Sequence, residues 1–249
     1  MPLHRNMEKI RLQKYFTDCK IMSRRAAEKE IADGKVTVNG LVAALGDKID
    51  PRTDRICWNG KPVLPINTEK IYIMLNKPIG YVTTLSDEQG RKNVGQLVAD
   101  LGLRVYPVGR LDMYSEGLLL LTSDGELTNR LTHPRHEIPK IYRVRLVGQI
   151  PQRDVEQLAE PMEIDGYLLR PVGVKFLGHS EGFTEVVLTL YEGRNRQIRK
   201  MCEKLNFSIA RLTRVAIGDL KLGTLPKGKW RHLTQEEVQY LYERSDPQC

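Results

Sequence analysis

The stretch VGRLDMYSEGLLLLT, residues 108–122, places a charged loop between two apolar segments. Glycines at positions 109 and 117 bound this loop, which carries the guanidinium of Arg110, the carboxylate of Asp112 and a hydroxyl. A charged loop anchored by buried strands is a common way for a scaffold to present reactive groups to a substrate. The alternative is an ordinary surface turn with an Arg/Asp pair. Other segments of the sequence favour one of these two interpretations over the other.

The apolar segments around this loop predict the strands of a larger domain over residues 70–245. We expect strands at 70–76, 105–108, 117–122, 141–147 and 183–191, and helices at 93–101, 151–160, 196–205 and 235–242. Several connections are too short for the crossovers that parallel strands require. The sequence therefore predicts an α+β fold, with a mixed, mostly antiparallel sheet flanked by helices.

Residues 8–65 predict a small N-terminal domain of two helices and short hairpins. Apolar residues recur at helical spacing between Lys9 and Asp18, and Ser23 is a good N-cap for a second helix that ends before Gly34. Asn-Gly pairs at 39–40 and 59–60 favour tight hairpin turns, because both residue types tolerate a positive φ. The segment at residues 66–69 then predicts a linker to the larger domain.

The excess positive charge of the chain is concentrated near its N-terminus. The formal net charge over 249 residues is +8, and residues 1–65 contribute +5 of it, from 13 Lys and Arg against 8 Asp and Glu. This asymmetry favours a nucleic-acid-binding N-terminal module over a uniformly solubilising surface.

The cysteines and the apolar runs exclude several classes of protein. The four cysteines form no close pair, which is typical of a reducing compartment and not of a disulfide framework or a zinc knuckle. No apolar run approaches the roughly 20 residues of a membrane span, and the N-terminus leads into a charged helix without an export region. The sequence therefore predicts a cytoplasmic protein that does not associate with a membrane.

Two further motifs place chemistry-bearing side chains in the larger domain. The segment KIY at 140–142 puts the phenol of Tyr142 on a predicted strand, where a plain core tyrosine is the alternative. The segment EGRNRQIRKM at 192–201 predicts a basic helix, on which Arg196, Arg199 and Lys200 share one face. Because packed guanidinium groups repel each other, this spacing favours phosphate oxygens and one buried carboxylate among them over a solvated helix face.

The N-terminal region resembles an S4 RNA-binding domain. The resemblance rests on SRRAAE at 23–28 followed by GKVTVNG at 34–40, and it covers roughly residues 8–65. It implies that Arg24, Arg25 and Lys35 contact RNA phosphates. Such contacts supply affinity and orientation, and they do not select a base sequence.

The larger domain resembles the RNA pseudouridine synthases of the ribosomal small-subunit and large-subunit family. GRLD at 109–112, KIY at 140–142 and GRNRQIR at 193–199 occur in the order seen in that family, and NKPIG at 76–80 matches its opening motif. Members commonly carry an N-terminal S4 domain as well. The resemblance implies that the protein breaks the N1–C1′ bond of a uridine, turns the base and joins C5 to C1′.

The family resemblance also implies roles for individual residues. Asp112 would be the catalytic carboxylate, Tyr142 the aromatic ring stacked on the flipped-out base, and Arg199 the ion-pair partner of Asp112. An arginine suits this place because its fork holds a carboxylate at two points and favours the ionised form against desolvation. The substrate contacts implied for the larger domain are those of Arg110, Arg194, Arg196 and Lys200.

The same resemblance implies the partners of the protein. No metal ion or organic cofactor is expected, because the isomerisation involves no net redox change or group transfer. The two histidines of HPRH at 133–136 are the possible metal ligands, but this segment predicts a turn. The expected partner is ribosomal RNA or a pre-ribosomal particle, bound by a monomer. The segment EGRNRQIRKMC at 192–202 favours 23S RNA as the substrate over 16S RNA or tRNA.

Two other functions are compatible with parts of this sequence. A non-enzymatic S4-type ribosome-assembly factor would explain the basic N-terminal region, but not an aspartate loop combined with an arginine-rich helix. A phosphatase that uses Asp112 as phosphoryl acceptor is disfavoured, because Tyr114 stands where such enzymes usually have a second aspartate.

Overall fold

The computed structural model describes residues 9–64, 69–133 and 138–245. The chain divides into two compact units, Met1–Glu69 and Lys70–Cys249. Apart from Glu69, the predicted linker at 66–69 lies outside the described residues, and so does the predicted turn at 133–136 apart from His133.

The first unit combines two helices with short strands. In chain order its elements are β1 (Ile10–Arg11), α1 (Leu12–Asp18), α2 (Arg24–Ala32), β2 (Val36–Val38), β3 (Leu41–Val42), β4 (Lys48–Ile49), β5 (Ile56–Trp58) and β6 (Lys61–Pro62). Ser23 caps α2 as predicted, accepting a hydrogen bond from the Ala26 amide. Asn39 and Asn59 both adopt a positive φ at the tips of the β2–β3 and β5–β6 hairpins.

The second unit carries longer strands and five helices in its described residues. Its elements are β7 (Tyr72–Lys77), α3 (Val94–Leu97), β8 (Tyr106–Val108), β9 (Glu116–Thr122), α4 (Gly125–Thr132), β10 (Lys140–Val147), α5 (Gln152–Glu156), β11 (Glu163–Ile164), β12 (Tyr167–Leu168), β13 (Gly173–Ser180), β14 (Phe183–Leu190), α6 (Gln197–Lys204), β15 (Ile209–Ile217), β16 (Leu220–Lys221), β17 (Trp230–His232) and α7 (Gln235–Arg244). Two short 3₁₀ helices lie at Ala99–Leu101 and Gln157–Ala159.

Nine strands among the described residues of the second unit form one sheet. Their order is β13-β14-β10-β15-β9-β7-β17, with β8 paired to β9 and β16 paired to β15. The β9–β15 pairing is parallel, and the other described pairings in this sheet are antiparallel. The predicted α+β fold with a mixed, mostly antiparallel sheet is thereby confirmed.

The parallel contact between β9 and β15 depends on Gly117. This residue has a φ of +103°, and a Cβ at its position would overlap with the carbonyl oxygen and amide nitrogen of Arg214. Only glycine accepts both that dihedral angle and that close approach. Gly117 therefore allows the strand that follows the 108–117 loop to lie directly against the strand that carries Arg214.

Helices cover the sheet through three apolar cores. Val144 and Leu188 pack with residues of α5 and α6, Met74 and Leu118 pack with residues of α4 and α7, and Leu119 belongs to a core that also includes residues of α3. These cores fix the ends of β8 and β14, from which the loops that follow Val108 and Leu190 emerge. None of the helices in the described part of the chain has the length and apolar character that crossing a bilayer demands.

The structure differs from the sequence expectations at several elements. The patterns did not predict β13 or β15, although β15 is the central strand of the sheet order, because its arginines interrupt an apolar alternation. The helix expected at 93–101 is a short α3 followed by a 3₁₀ turn. The basic helix begins at Gln197, since Arg196 adopts a left-handed conformation with φ of 52°.

Candidate active site

A cavity of about 450 Å³ in the second unit brings together the sequence-predicted site residues of the larger domain with the exception of Lys200. The 108–112 segment, β10, the 192–199 segment and β15 all contribute to its wall. Asp112, Tyr142 and Arg199 line it, and so do Arg110, Arg194 and Arg196. Residues separated by nearly 90 positions in the sequence thus surround one space.

The backbone of the Asp112 loop is held by a buried lysine, Lys77. This side chain is fully buried, and its Nζ donates to the carbonyl oxygens of Pro78, Asp112 and Ser115 at 3.2, 3.0 and 2.8 Å. Burial lowers the pKa of Lys77 to about 8, against the charges of Asp112 and Glu116. Three N–H donors therefore meet three carbonyl acceptors, which fixes the turn that presents Asp112.

A second set of hydrogen bonds holds the other end of this turn. The Thr83 hydroxyl donates to the Leu111 carbonyl at 2.6 Å and accepts from the Leu111 amide at 3.2 Å. The Gly80 amide donates to the Met113 carbonyl at 2.8 Å. The residues on both sides of Asp112 are therefore anchored, while its carboxylate stays 33% exposed and faces the cavity.

Arg199, on the first turn of α6, contacts the same loop. Its Nη2 donates to the Tyr114 carbonyl at 2.6 Å, and its Nε lies 3.9 Å from Oδ2 of Asp112. Burial and the nearby Arg196 lower the pKa of Arg199, whereas Asp112 opposes this shift. An arginine nevertheless stays protonated.

The contact between Arg199 and Asp112 differs from the expected one. The sequence predicted a two-point pair in a dry site, but the structure shows one long contact to a partly exposed carboxylate. The reason is that the Arg199 fork is engaged by the backbone carbonyl of Tyr114. Its buried Nε has no hydrogen-bond partner among the described residues. Arg199 thus positions the loop as well as countering the charge of Asp112.

Tyr142 lies on β10 directly opposite Arg214 of β15. Cross-strand pairs point to the same face of a sheet, and both side chains line the cavity together with Leu212. A β-bulge interrupts the register between Ile141 and Tyr142. The bulge redirects the side chains at the point where the strand enters the cavity wall.

The cations of the 192–201 segment do not form the single face that the sequence predicted. Arg196 precedes the helix, and Lys200 turns to an ion pair with Asp165. Arg194 covers the ring of Tyr167 and lies 3.4 Å from the Glu192 carboxylate. Because Arg196 leaves the helix, the spacing of i, i+3 and i+4 no longer applies to it.

Sequence reasoning missed a buried carboxylate next to the loop. Glu116 accepts hydrogen bonds from Arg211, from Thr213 at 2.9 Å and from Lys227, whose Nζ lies 2.8 Å away. Burial opposes the ionisation of Glu116, but these donors outweigh it and lower its pKa. The available signal was an acidic residue at the start of the apolar run 117–121, where a buried charge requires partners.

The remaining predicted residues lie in the first unit. Arg24 and Arg25 are exposed on α2 and make no ion pair or hydrogen bond through their side chains with the described residues. Lys35 is different, because its Nζ lies 3.0 Å from Glu30 and 3.1 Å from Asp33. Two of these three cations are thus available to an anion, and the third is already countered.

The second unit provides a carboxylate, a phenol and several cations around one open space. Within the described ranges, no cluster of three or more His, Cys, Asp or Glu side chains is placed to hold a metal ion. A carboxylate on an anchored turn can act as a nucleophile or stabilise a cationic carbon. The cations around it suit a polyanionic substrate.

The comparisons with known proteins agree with this geometry. A family model described as RNA pseudouridylate synthase matches residues 71–204. The chain is 39% identical to an uncharacterized RNA pseudouridine synthase of Aquifex aeolicus, over 95% of each chain. It is 38% identical to the ribosomal large subunit pseudouridine synthase B of Bacillus subtilis, over 95% of this chain and 97% of that one.

A solved structure supports the same assignment. The crystal structure of a pseudouridylate synthase is similar over 93% of this chain and 99% of its own, with a TM-score of 0.66 and 31% identity. Both the sequence and the fold therefore lead to one conclusion: the chain belongs to the RNA pseudouridylate synthase family.

Proposed function

We propose that this protein isomerises a specific uridine of ribosomal RNA to pseudouridine, with 23S RNA as the substrate, and that Asp112 is its catalytic residue. The Bacillus subtilis relative is named for the ribosomal large subunit and aligns over almost its full length. The EGRNRQIRKMC segment favours the same target. Family membership supports the reaction, and the lining of the cavity supports the choice of residues.

The observation that carries the proposal is the position of the Asp112 carboxylate. Its backbone carbonyl is fixed by Lys77, and its side chain faces a cavity that Tyr142 and Arg199 also line. A carboxylate held in this position can react with C1′ of the ribose or with the base. In either case the N1–C1′ bond breaks, and C5 then takes the place of N1.

A uridine has to leave its stack to reach this carboxylate. Flipping a nucleotide costs a few kcal/mol, and stacking on an aromatic ring returns about 1–3 kcal/mol per base. Tyr142 is the aromatic residue among the described residues that line the cavity. We assign it the stacking role, while Arg110, Arg194 and Arg196 at the cavity contact the RNA backbone.

The first unit is proposed to be an S4-type RNA-binding module. Its support is the resemblance at 23–28 and 34–40 together with the exposed arginines of α2. Exposed, unpaired arginines release counterions when they meet phosphates, so this unit supplies salt-sensitive affinity. The ion pairs of Lys35 with Glu30 and Asp33 make it the weakest of the three proposed contacts.

To test this function, unmodified 23S and 16S RNA are treated with the purified protein, and the pseudouridines that form are mapped. The wild-type protein is expected to convert one uridine, whereas Asp112→Asn is expected to abolish conversion and keep RNA affinity within about two-fold. Asp219→Asn, at a side chain that is 78% exposed, serves as the control and should convert normally. Retained turnover by Asp112→Asn would remove Asp112 from its role, and RNA binding without conversion by the wild type would support a binding factor instead.

A further inference from the structure

Two cations in the wall of the cavity have no anionic partner among the residues that the structure describes. Arg214 is only 5% exposed, and its Nε donates to the Leu118 carbonyl at 2.8 Å. Its Nη2 is buried and makes no hydrogen bond within the described residues. The side chain of Lys140 is partly buried, lines the same cavity and forms no ion pair or hydrogen bond in the described part of the chain.

The two side chains are neighbours. Arg214 lies opposite Tyr142 on the adjacent strand, and Lys140 is two residues before Tyr142 on β10. Burial and the nearby charge of Arg214 lower the pKa of Lys140. Two desolvated like charges this close together destabilise the fold, since a buried charge normally has a partner.

Arg211 lies three residues before Arg214 on β15 and differs from it in having a carboxylate partner. Arg211 is paired with the buried carboxylate of Glu116, which also accepts from Thr213. Arg214 has no such carboxylate in the described part of the chain, although it is much more deeply buried than Arg211. The contrast indicates that the missing partner of Arg214 and Lys140 comes from the ligand.

We propose that Lys140 and Arg214 bind the carbonyl oxygens of the target uracil and stabilise the negative charge that these oxygens gain during isomerisation. This inference rests on the proposed function and extends it to two further residues. When the N1–C1′ bond breaks, its electron pair stays with the base and is shared by N1, O2 and O4. The pair forms the new bond when C5 bonds to C1′. C5 then gives up its proton and N1 takes one up, so that the product is an isomer of uridine.

The position of the two cations favours the base over a backbone phosphate. They adjoin Tyr142, so a base stacked on that ring would have its edge beside them. The exposed Arg110, Arg194 and Arg196 are better placed for phosphates, which remain outside with the rest of the strand. Fixed cations placed where negative charge develops are the arrangement that accelerates such a step.

The test compares Lys140→Met with the wild type in single-turnover reactions on the RNA substrate. At saturating RNA we expect the rate to fall by about 100-fold, while Kd stays within about two-fold and its salt dependence is unchanged. Lys140→Arg should recover part of the rate because it restores a cation. Lys175→Met, at an exposed lysine on β13, is the matched control and should react normally.

Other results would overturn the inference. If Lys140 held a phosphate, Lys140→Met would weaken binding and reduce the salt slope by about one, with little change in the saturated rate. A structural role would lower the melting temperature and leave the rate of the folded protein unchanged. Normal turnover by Lys140→Met refutes this inference alone, whereas a wild-type protein without isomerase activity refutes the proposed function as well.

Arg214→Lys provides a second variant at the other cation. It keeps a charge but lacks the fork that also donates to the Leu118 carbonyl. We expect a reduced saturated rate and a modestly lower melting temperature. A normal saturated rate in this variant would show that the fork of Arg214 does not act on the base.

Discussion

The arginines proposed to act in the first unit and two largely buried arginines of the second unit lie in opposite environments. In the first unit, Arg24 and Arg25 extend from α2 into solvent. In the second unit, Arg199 and Arg214 are largely buried, and each donates to a backbone carbonyl of the 108–118 region. The same residue type is therefore used for two physical tasks.

The difference follows from solvation. An exposed guanidinium is screened by salt and interacts weakly with any single partner. A buried guanidinium has lost its hydration, so it requires hydrogen-bond acceptors from the protein. The hydrogen bonds that it donates hold those acceptors in place. The first unit is thus suited to reversible binding of a polyanion, and the second to holding reactive groups in place.

The strongest way to break this comparison is to remove a buried arginine. Arg199→Ala deletes the 2.6 Å hydrogen bond to the Tyr114 carbonyl and the charge next to Asp112. We expect the saturated single-turnover rate to fall by about 10²–10³-fold, as when one preorganised donor is lost. The free energy of unfolding should also fall, by about 1–3 kcal/mol.

Two other variants sharpen that result. Arg199→Lys keeps a charge without the fork and is expected to recover only part of the rate. Arg153→Ala removes an arginine that is 84% exposed and should change neither rate nor stability. If Arg199→Ala leaves both quantities unaltered, buried and exposed arginines are equivalent here and the comparison fails.

Sequence patterns predicted the local features of this fold well. The N-cap at Ser23, the two Asn-Gly hairpins and the apolar run at 117–122 all depend on residues close in sequence. The motif order likewise indicated that Asp112 and Tyr142 belong to one site, and both line the same cavity. Short-range preferences are sufficient for features of this kind.

Features that depend on distant residues were missed. The strand β15 was not predicted because its arginines interrupt the apolar pattern. Its pairing with β10 and β9 on either side, and not its composition, keeps it extended. The partners of Glu116 include Arg211 and Lys227, about a hundred positions away, so no spacing rule relates them. Arg196 was placed on the helix because its left-handed conformation has no signal in residue type.

A smaller effect is expected at Glu116, whose buried carboxylate keeps Arg211 paired. Glu116→Gln should lower the free energy of unfolding at pH 7 by about 1–3 kcal/mol, through weakened hydrogen bonds from charged donors. Because the pKa of Glu116 is lowered in the folded state, its stabilisation is complete above the unfolded pKa of about 4.3. The difference between the two proteins should shrink as the pH falls below that value.

Urea denaturation at several pH values between 3 and 7 measures this difference. Glu181→Gln is the control. This side chain is 78% exposed and its ion pair with Arg145 is long, at 4.0 Å, so the substitution should change stability little at any pH. A Glu116→Gln difference that stays constant down to pH 3 would show that the charge of Glu116 does not stabilise the fold.

The smallest effect on catalysis is expected in the first unit, at its exposed arginines. Replacing both Arg24 and Arg25 by alanine should weaken RNA binding and reduce the slope of log K against log salt concentration by about one per arginine. The saturated rate and the melting temperature should remain those of the wild type, because neither side chain packs or pairs in the described residues. Titrations at several salt concentrations provide the measurement.

Lys35→Ala supplies the internal standard for that titration. It removes a cation from the same small unit, but one that Glu30 and Asp33 already counter, so its salt slope should change less than that of either single arginine variant. Equal slopes for Lys35 and the arginines would mean that RNA displaces those ion pairs. An unchanged slope in the double arginine variant would instead place the phosphate contacts elsewhere, and the division of tasks between exposed and buried arginines would then apply to the second unit alone.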